Sequence, residues 1–240
     1  MSTEAELIAE ITVTLDKIRD KTTELQNSIN SGLASLSSLA GWVADRIVDA
    51  WNWFCRQADR FWSWITNITS HMGSPSALSQ AADSWSSGVG GPVSSQVQAA
   101  DAGSLLVDDT WTGAAASQYK QVYPQQKEAL RAVKATFVDG LASALDLVQK
   151  GIIAFWGALG AALAALVVGL IGAIASSATV FGLPAAPFIA AGAVGVAAAA
   201  CWGGGEILTA CCASANTTMQ GKLHDDTSYL GGRWPSGATG

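Results

Sequence analysis

The sequence predicts an all-α protein: a long N-terminal helix, an antiparallel helical hairpin, and an apolar helical hairpin of transmembrane type. Three observations carry the prediction. Apolar residues recur at steps of three and four from Ile8 to Val148, the periodicity of helices with one buried face. Gly and Pro fall together at Gly73-Ser74-Pro75, from Gly88 to Pro92 and from Gly182 to Pro187, where they punctuate that pattern. No Asp, Glu, Lys or Arg occurs between Gly151 and Gly205. The chain divides accordingly into segments 1–72, 73–150, 151–215 and 216–240.

Residues 3–39 read as one helix. Thr3 and Glu6 fit a capping box, in which each side chain satisfies a backbone N–H at the other's position. Ile8, Ile11, Leu15, Ile18, Leu25, Ile29, Leu36 and Leu39 recur at heptad spacing, with Thr22 and Gly32 as exceptions. A sustained heptad is a coiled-coil-type seam. It fits packing inside this chain and self-assembly of several copies alike.

Residues 42–70 form a Trp-rich segment. On a helix, Val43, Ile47, Trp51, Phe54, Ala58, Phe61, Ile65 and Ile68 share one face. Asp45, Asp49, Arg56, Asp59, Arg60 and Asn67 gather opposite, with Trp53 and Trp64 on the flanks. Trp at the border of an apolar face suits a membrane–water interface. The polar face carries about as many Asp as Arg, however, and an ordinary bundle helix with large core residues fits as well.

A hinge follows at 71–75, where Ser74-Pro75 starts the next helix. Its face runs through Leu78, Ala82, Trp85, Val93, Val97, Ala100 and Leu105, and the glycines at 88–91 predict a kink or two shorter helices. A second helix runs through Tyr119, Val122, Leu130, Val133, Phe137, Leu141, Ala144 and Val148. Between the two lies Trp111-Thr112-Gly113. Gly113 frees the backbone to turn, Asp108, Asp109 and Thr110 are N-cap candidates, and the Trp111 ring is expected to bury where the helices meet.

These residues carry a resemblance. From about Pro75 to Lys150, roughly a third of the chain, the sequence resembles the WXG-motif family of small helical-hairpin proteins exported by type VII (ESX-type) secretion systems. Leu78, Ala81, Ala82 and Trp85 precede the turn, Trp111 and Gly113 form it, and Ala116 and Tyr119 follow. The resemblance implies a non-enzymatic hairpin, with Trp111, Gly113 and Tyr119 as its structural turn motif. It also implies pairing with a like or unlike WXG-type chain into a four-helix bundle that travels through, or serves, that machine. The sequence departs from the family in two ways. Pro124 falls inside the second helix and predicts a kink or a later start. The family's export signal, a Tyr followed four residues on by an acidic residue, is missing: Tyr119, Tyr123 and Tyr229 are followed at that offset by Tyr123, Lys127 and Arg233.

A membrane-spanning helix needs about 20 apolar residues. Residues 152–175 supply one span and 188–212 a second, with a turn across 176–187. Small residues recur every fourth position at Gly157, Ala161, Ala165 and Gly169, and again around Gly192, Val196 and Ala200; such faces let membrane helices approach closely. Trp156 and Trp202 stand near the ends as interfacial anchors. A buried hairpin in a soluble assembly is the other reading. The polar, Gly-rich residues 216–240 are expected to be mostly loose.

Half the residues are apolar and only 13% charged, well below the usual quarter, which points to membrane. The net charge of −6 argues against nucleic acid. The acidic, polar start lacks the features of a signal peptide. Cys201, Cys211 and Cys212 do not match zinc spacing, and His224-Asp225-Asp226 has no further ligand near it. Neither a phosphate-binding loop nor a nucleophile elbow occurs. No catalytic, cofactor-binding or metal residue is therefore expected. The expected function is a non-enzymatic, type VII secretion-associated protein that binds a helical partner or its own copies. It associates with or inserts into membrane lipid through Trp51, Trp53, Trp62, Trp64, Trp156 and Trp202. The expected location is outside the cell by a type VII-like route, at a membrane, or both. The alternative is a secreted pore-forming or membrane-damaging effector assembled from the apolar hairpin.

Overall fold

The structure is a computed structural model that describes residues 4–35, 41–70, 73–100, 110–179, 181–225, 228–229 and 233–235. Among these residues the protein is all-α. The helices are α1 (Glu4–Ser35), α2 (Gly41–Ser70), α3 (Pro75–Trp85), α4 (Gly91–Ala99), α5 (Ala114–Ala132), α6 (Asp139–Ser177) and α7 (Ala186–Leu223). A π-turn, Ser86–Gly90, joins α3 to α4, and a second, Val133–Val138, joins α5 to α6. Helical backbone thus runs unbroken through 75–99 and 114–177. The expected capping box at Thr3, the heptad positions Leu36 and Leu39, and His71 and Met72 of the hinge lie outside the described residues, as do Leu105, Asp108 and Asp109 of the elbow.

The chain forms two compact units. The first comprises Met1–Ser74 with Ile152–Leu208, and the second Pro75–Gly151 with Thr209–Gly240.

In the first unit α1, α2 and the apolar parts of α6 and α7 make a four-helix bundle. The heptad residues Ile11, Ile18, Leu25 and Ile29 are buried within it, so the seam of α1 is used inside the chain. Ile47, Phe54, Phe61 and Ile65 bring in the apolar face of α2, and Leu159, Leu163, Leu166 and Leu170 that of α6. Arg19 lies over the Trp62 ring at 5.7 Å, tying α1 to α2 through a cation–π contact. The two exceptions in the heptad have physical causes. Thr22 turns its hydroxyl back to Ile18 O at 2.8 Å, as a helical Thr does in an apolar setting. Gly32 makes room for Leu183, whose Cδ1 would stand 2.7 Å from any Cβ at that position. Nearby, Ser28 and Ser177 share a hydrogen bond of 2.6 Å.

The approach of α6 to α7 departs from the expected small-residue faces. Nothing stands within 4 Å of a Cβ built on Gly157 or Gly192, and Ala161, Ala165 and Ala200 are exposed. Of the expected residues Gly169 does make the close approach, against Ala193, and a second one sets Gly204 against Ala158.

In the second unit the helical run 75–99 lies antiparallel to the run beginning at Ala114. α4 packs on α5, and the two π-turns pack on each other. The Trp85 indole N–H donates to Phe137 O at 3.3 Å, a carbonyl inside the second π-turn, where the α-ladder is interrupted. Gly90 lets Val138 approach to 3.0 Å of where its Cβ would be. The sequence placed Val133, Phe137 and Leu141 on one face. The π-turn adds a residue to the turn, so Val138 is buried and Phe137 exposed.

Two further expectations are corrected. Of the two outcomes expected at Pro124, the later start does not occur: α5 begins at Ala114 and runs through Pro124. The residues after Asn216 are not all loose. α7 continues to Leu223. The Tyr229 hydroxyl donates to Ala129 O at 3.1 Å, and its ring lies 6.4 Å from Phe137 and 6.1 Å from Trp234. Pro235 is fully buried.

Candidate functional site

The uncharged hairpin is the most apolar feature of the chain. Among the described residues two helical runs are long and apolar enough to cross a membrane, and 33% and 39% of their most apolar windows are buried. A core helix of a soluble protein hides most of such a surface. In the first unit α6 turns Leu159, Leu163, Leu166 and Leu170 inward and α7 turns Ala190, Val194, Ala197 and Cys201 inward. The opposite faces carry no charge from Gly151 to Gly205. Val168 is 69%, Val196 62% and Trp202 73% exposed. Such a face is apolar all round, as helices in lipid are.

Aromatic residues of α2 border α7. Trp53 lies 6.5 Å from Phe188, and Trp64 stacks on Phe61 at 6.3 Å. Between the helices runs an apolar groove of about 430 Å³, walled by Trp53, Phe61, Trp64, Val194, Ala198 and Trp202, with Arg60 at its rim. Trp53 and Trp64 are partly exposed, whereas Trp51 and Trp62 are half-buried, Trp51 against Phe54 at 5.1 Å and Trp62 beneath Arg19. Trp156 departs from the expected role of surface anchor. It is only 4% exposed, because its position on α6 faces the bundle, and Phe155 lies beside it at 6.5 Å.

The elbow of the second unit is built differently from the expectation. Gly113 has φ +107° and ψ 179°, a region open essentially to Gly alone, and it also occupies the N-cap position of α5, with no side-chain cap bond. Trp111 is 43% exposed rather than buried; its ring rests on Tyr119 at 5.7 Å, which in turn lies 6.4 Å from Tyr123. Trp111, Tyr119 and Tyr123 thus form an aromatic ladder along the start of α5. Further along that helix Tyr123 Oη and Gln126 Nε2 are buried without a hydrogen-bond partner.

No group of three or more His, Cys, Asp and Glu gathers among the described residues. His224 Nδ1 contacts Gln220 O at 2.7 Å at the end of α7. The Cys55 thiol is pushed up by burial and by Asp59, with Arg56 opposing, which keeps it protonated and a poor nucleophile. No family model matches the chain, and no curated protein or solved structure matches it either.

Sequence reasoning missed Phe181, Leu183 and Tyr229. The first two sit in a Gly- and Pro-rich turn and the third in a polar tail, where periodicity carries no signal. The only clue was a bulky aromatic residue next to Gly182 in an otherwise small-residue turn.

Proposed function

We propose that this chain is a non-enzymatic, WXG-like protein of type VII secretion that binds helical partners and inserts its apolar hairpin into a membrane. One observation carries the membrane part: the outward faces of α6 and α7 expose Val168, Ile171, Val196 and Trp202 within a stretch free of charge. The secretion part rests on the resemblance, and is supported by an antiparallel hairpin whose elbow holds Trp111 and a left-handed Gly113. Anchoring is favoured over pore formation. The only polar side chains of the hairpin between Gly151 and Gly205 are Ser176, Ser177 and Thr179 beside its turn, too few to line a water-filled lumen.

The test is flotation with phosphatidylcholine vesicles, followed by carbonate extraction, of wild type and of Val168→Arg with Val196→Arg. Both side chains are exposed, so the bundle should still fold, while each Arg opposes insertion by about 2.5–3.5 kcal/mol. Wild type should float and resist carbonate, and the double variant should not. A wild type that remains soluble and compact beside vesicles removes the membrane reading. Release of a trapped dye by wild type would favour the pore-forming alternative.

A further inference from the structure

We propose that the turn at residues 181–185, led by Phe181, is the point at which this chain first penetrates a lipid bilayer. The proposal rests on the membrane reading above and adds where insertion begins. Phe181 is 97% exposed, more than any other large apolar side chain among the described residues. A lone aromatic ring held in water at the end of an uncharged hairpin gains most by moving into lipid.

The backbone of the turn supports the same direction. Irregular backbone is excluded from hydrocarbon because lipid offers its N–H and C=O groups no partner. Here several of those groups find partners locally. Gly182 N–H reaches Thr179 Oγ1 at 3.0 Å, and Leu183 N–H donates to Thr179 O at 2.9 Å. Ala185 and Ala186 N–H both donate to Gly182 O, at 3.0 and 3.1 Å. The Ser176 hydroxyl donates to the same carbonyl at 3.0 Å. Pro184 and Pro187 have no N–H to satisfy. The Ser and Thr hydroxyls, the polar groups nearest the tip, are thus engaged with backbone, and the charge-free flanks leave nothing to be desolvated at high cost.

In the bundle this tip is latched to α1. Leu183 is buried against Gly32, and Ser28 bonds Ser177 at the last turn of α6. Separation of the hairpin from α1 after the tip has entered would part Leu183 from Gly32 and Ser28 from Ser177.

The full chain would be tested as wild type, Phe181→Asp and Phe181→Leu, with phosphatidylcholine vesicles and the carbonate wash as readout. Melting in the absence of lipid should be the same for all three, since the ring is almost wholly in water. Phe181→Asp should lower the carbonate-resistant fraction by about tenfold or more, as a charge must pass through the apolar layer, and Phe181→Leu should keep it. Insertion by Phe181→Asp equal to wild type, alongside failure of the Val168→Arg, Val196→Arg variant, would overturn the tip-first route while leaving the membrane reading intact. Failure of wild type itself to float overturns both.

Discussion

Gly32→Ala tests the latch between α1 and the hairpin turn. A Cβ at this position would stand 2.7 and 2.8 Å from the two Cδ atoms of Leu183 and 3.3 Å from its Cγ, where carbon atoms prefer about 3.5–4.0 Å. Leu183 is 2% exposed and has little room to turn aside. Overpacking of this kind costs about 1–3 kcal/mol. The helix itself gains about 0.5–1 kcal/mol when Ala replaces Gly, so the net loss is about 0–2.5 kcal/mol. A helical glycine with open space around it supplies the control. Gly157 has nothing within 4 Å, and Gly157→Ala should raise stability by the same 0.5–1 kcal/mol. The two variants should therefore melt on opposite sides of wild type, at about 2–4 °C per kcal/mol for a chain of this size. Gly32→Ala should also insert into vesicles faster than wild type. Adding Leu183→Ala should relieve the clash, so that the effects of the two substitutions do not add. If Gly32→Ala instead melts above wild type, as Gly157→Ala should, then Leu183 is not wedged against α1 and the latch does not exist.

Two more predictions concern the second unit. Gly113→Val should destabilise the elbow by about 1–3 kcal/mol, because a β-branched residue is forced to a positive φ. Trp111→Ala should lose only the ring pair with Tyr119, about 0.5–1.5 kcal/mol, so a Trp111 variant more damaging than the Gly113 variant in melting would refute this order. Burial raises the Tyr229 phenol above its ordinary 10.0. The neutral form is therefore favoured in the fold: its contribution is present below pH 10.0 and lost as pH rises through the raised folded value. Melting followed across that range should show a steeper alkaline loss in wild type than in Tyr229→Phe, and equal slopes would rule the phenol out.

Helix identity was legible because it is written in periodicity. α1, α2 and the two spans lie close to where apolar steps and charge placed them, since a face of Ile, Leu and Phe must be buried whatever covers it. What covers it was not legible. The heptad of α1 did not say whether its partner was another copy or, as found, helices far along the same chain. Gly32 looked like a flaw in that heptad, and only the position of Leu183 explains it. The size of the Trp111 ring and its place between two helices put it in the core. The ring stays largely outside because Gly113, not the indole, fixes the turn. Trp156 was assigned to the surface from its place near the end of a span, but the direction of a side chain around a helix axis depends on which neighbours arrive. Tyr229 and Pro235 show the reverse: a polar tail with few apolar residues can still dock when those few reach a prepared face.

The paired π-turns have a consequence for how the second unit tolerates change in length. A π-turn holds one residue more than the α-ladder needs, and each residue advances a helix by about 100°. Deleting one residue within Val133–Val138 would restore a plain helix there and leave Leu141, Ala144 and Val148 close to the face they now share, because the widened turn takes up the surplus residue without net rotation. The neighbouring π-turn at Ser86–Gly90 sits against this one, so two surplus residues lie side by side. Gain or loss of a residue in one arm has a natural compensating site in the other. The hairpin can therefore slide its register by single residues at this level, where an uninterrupted pair of helices would have to change by whole turns.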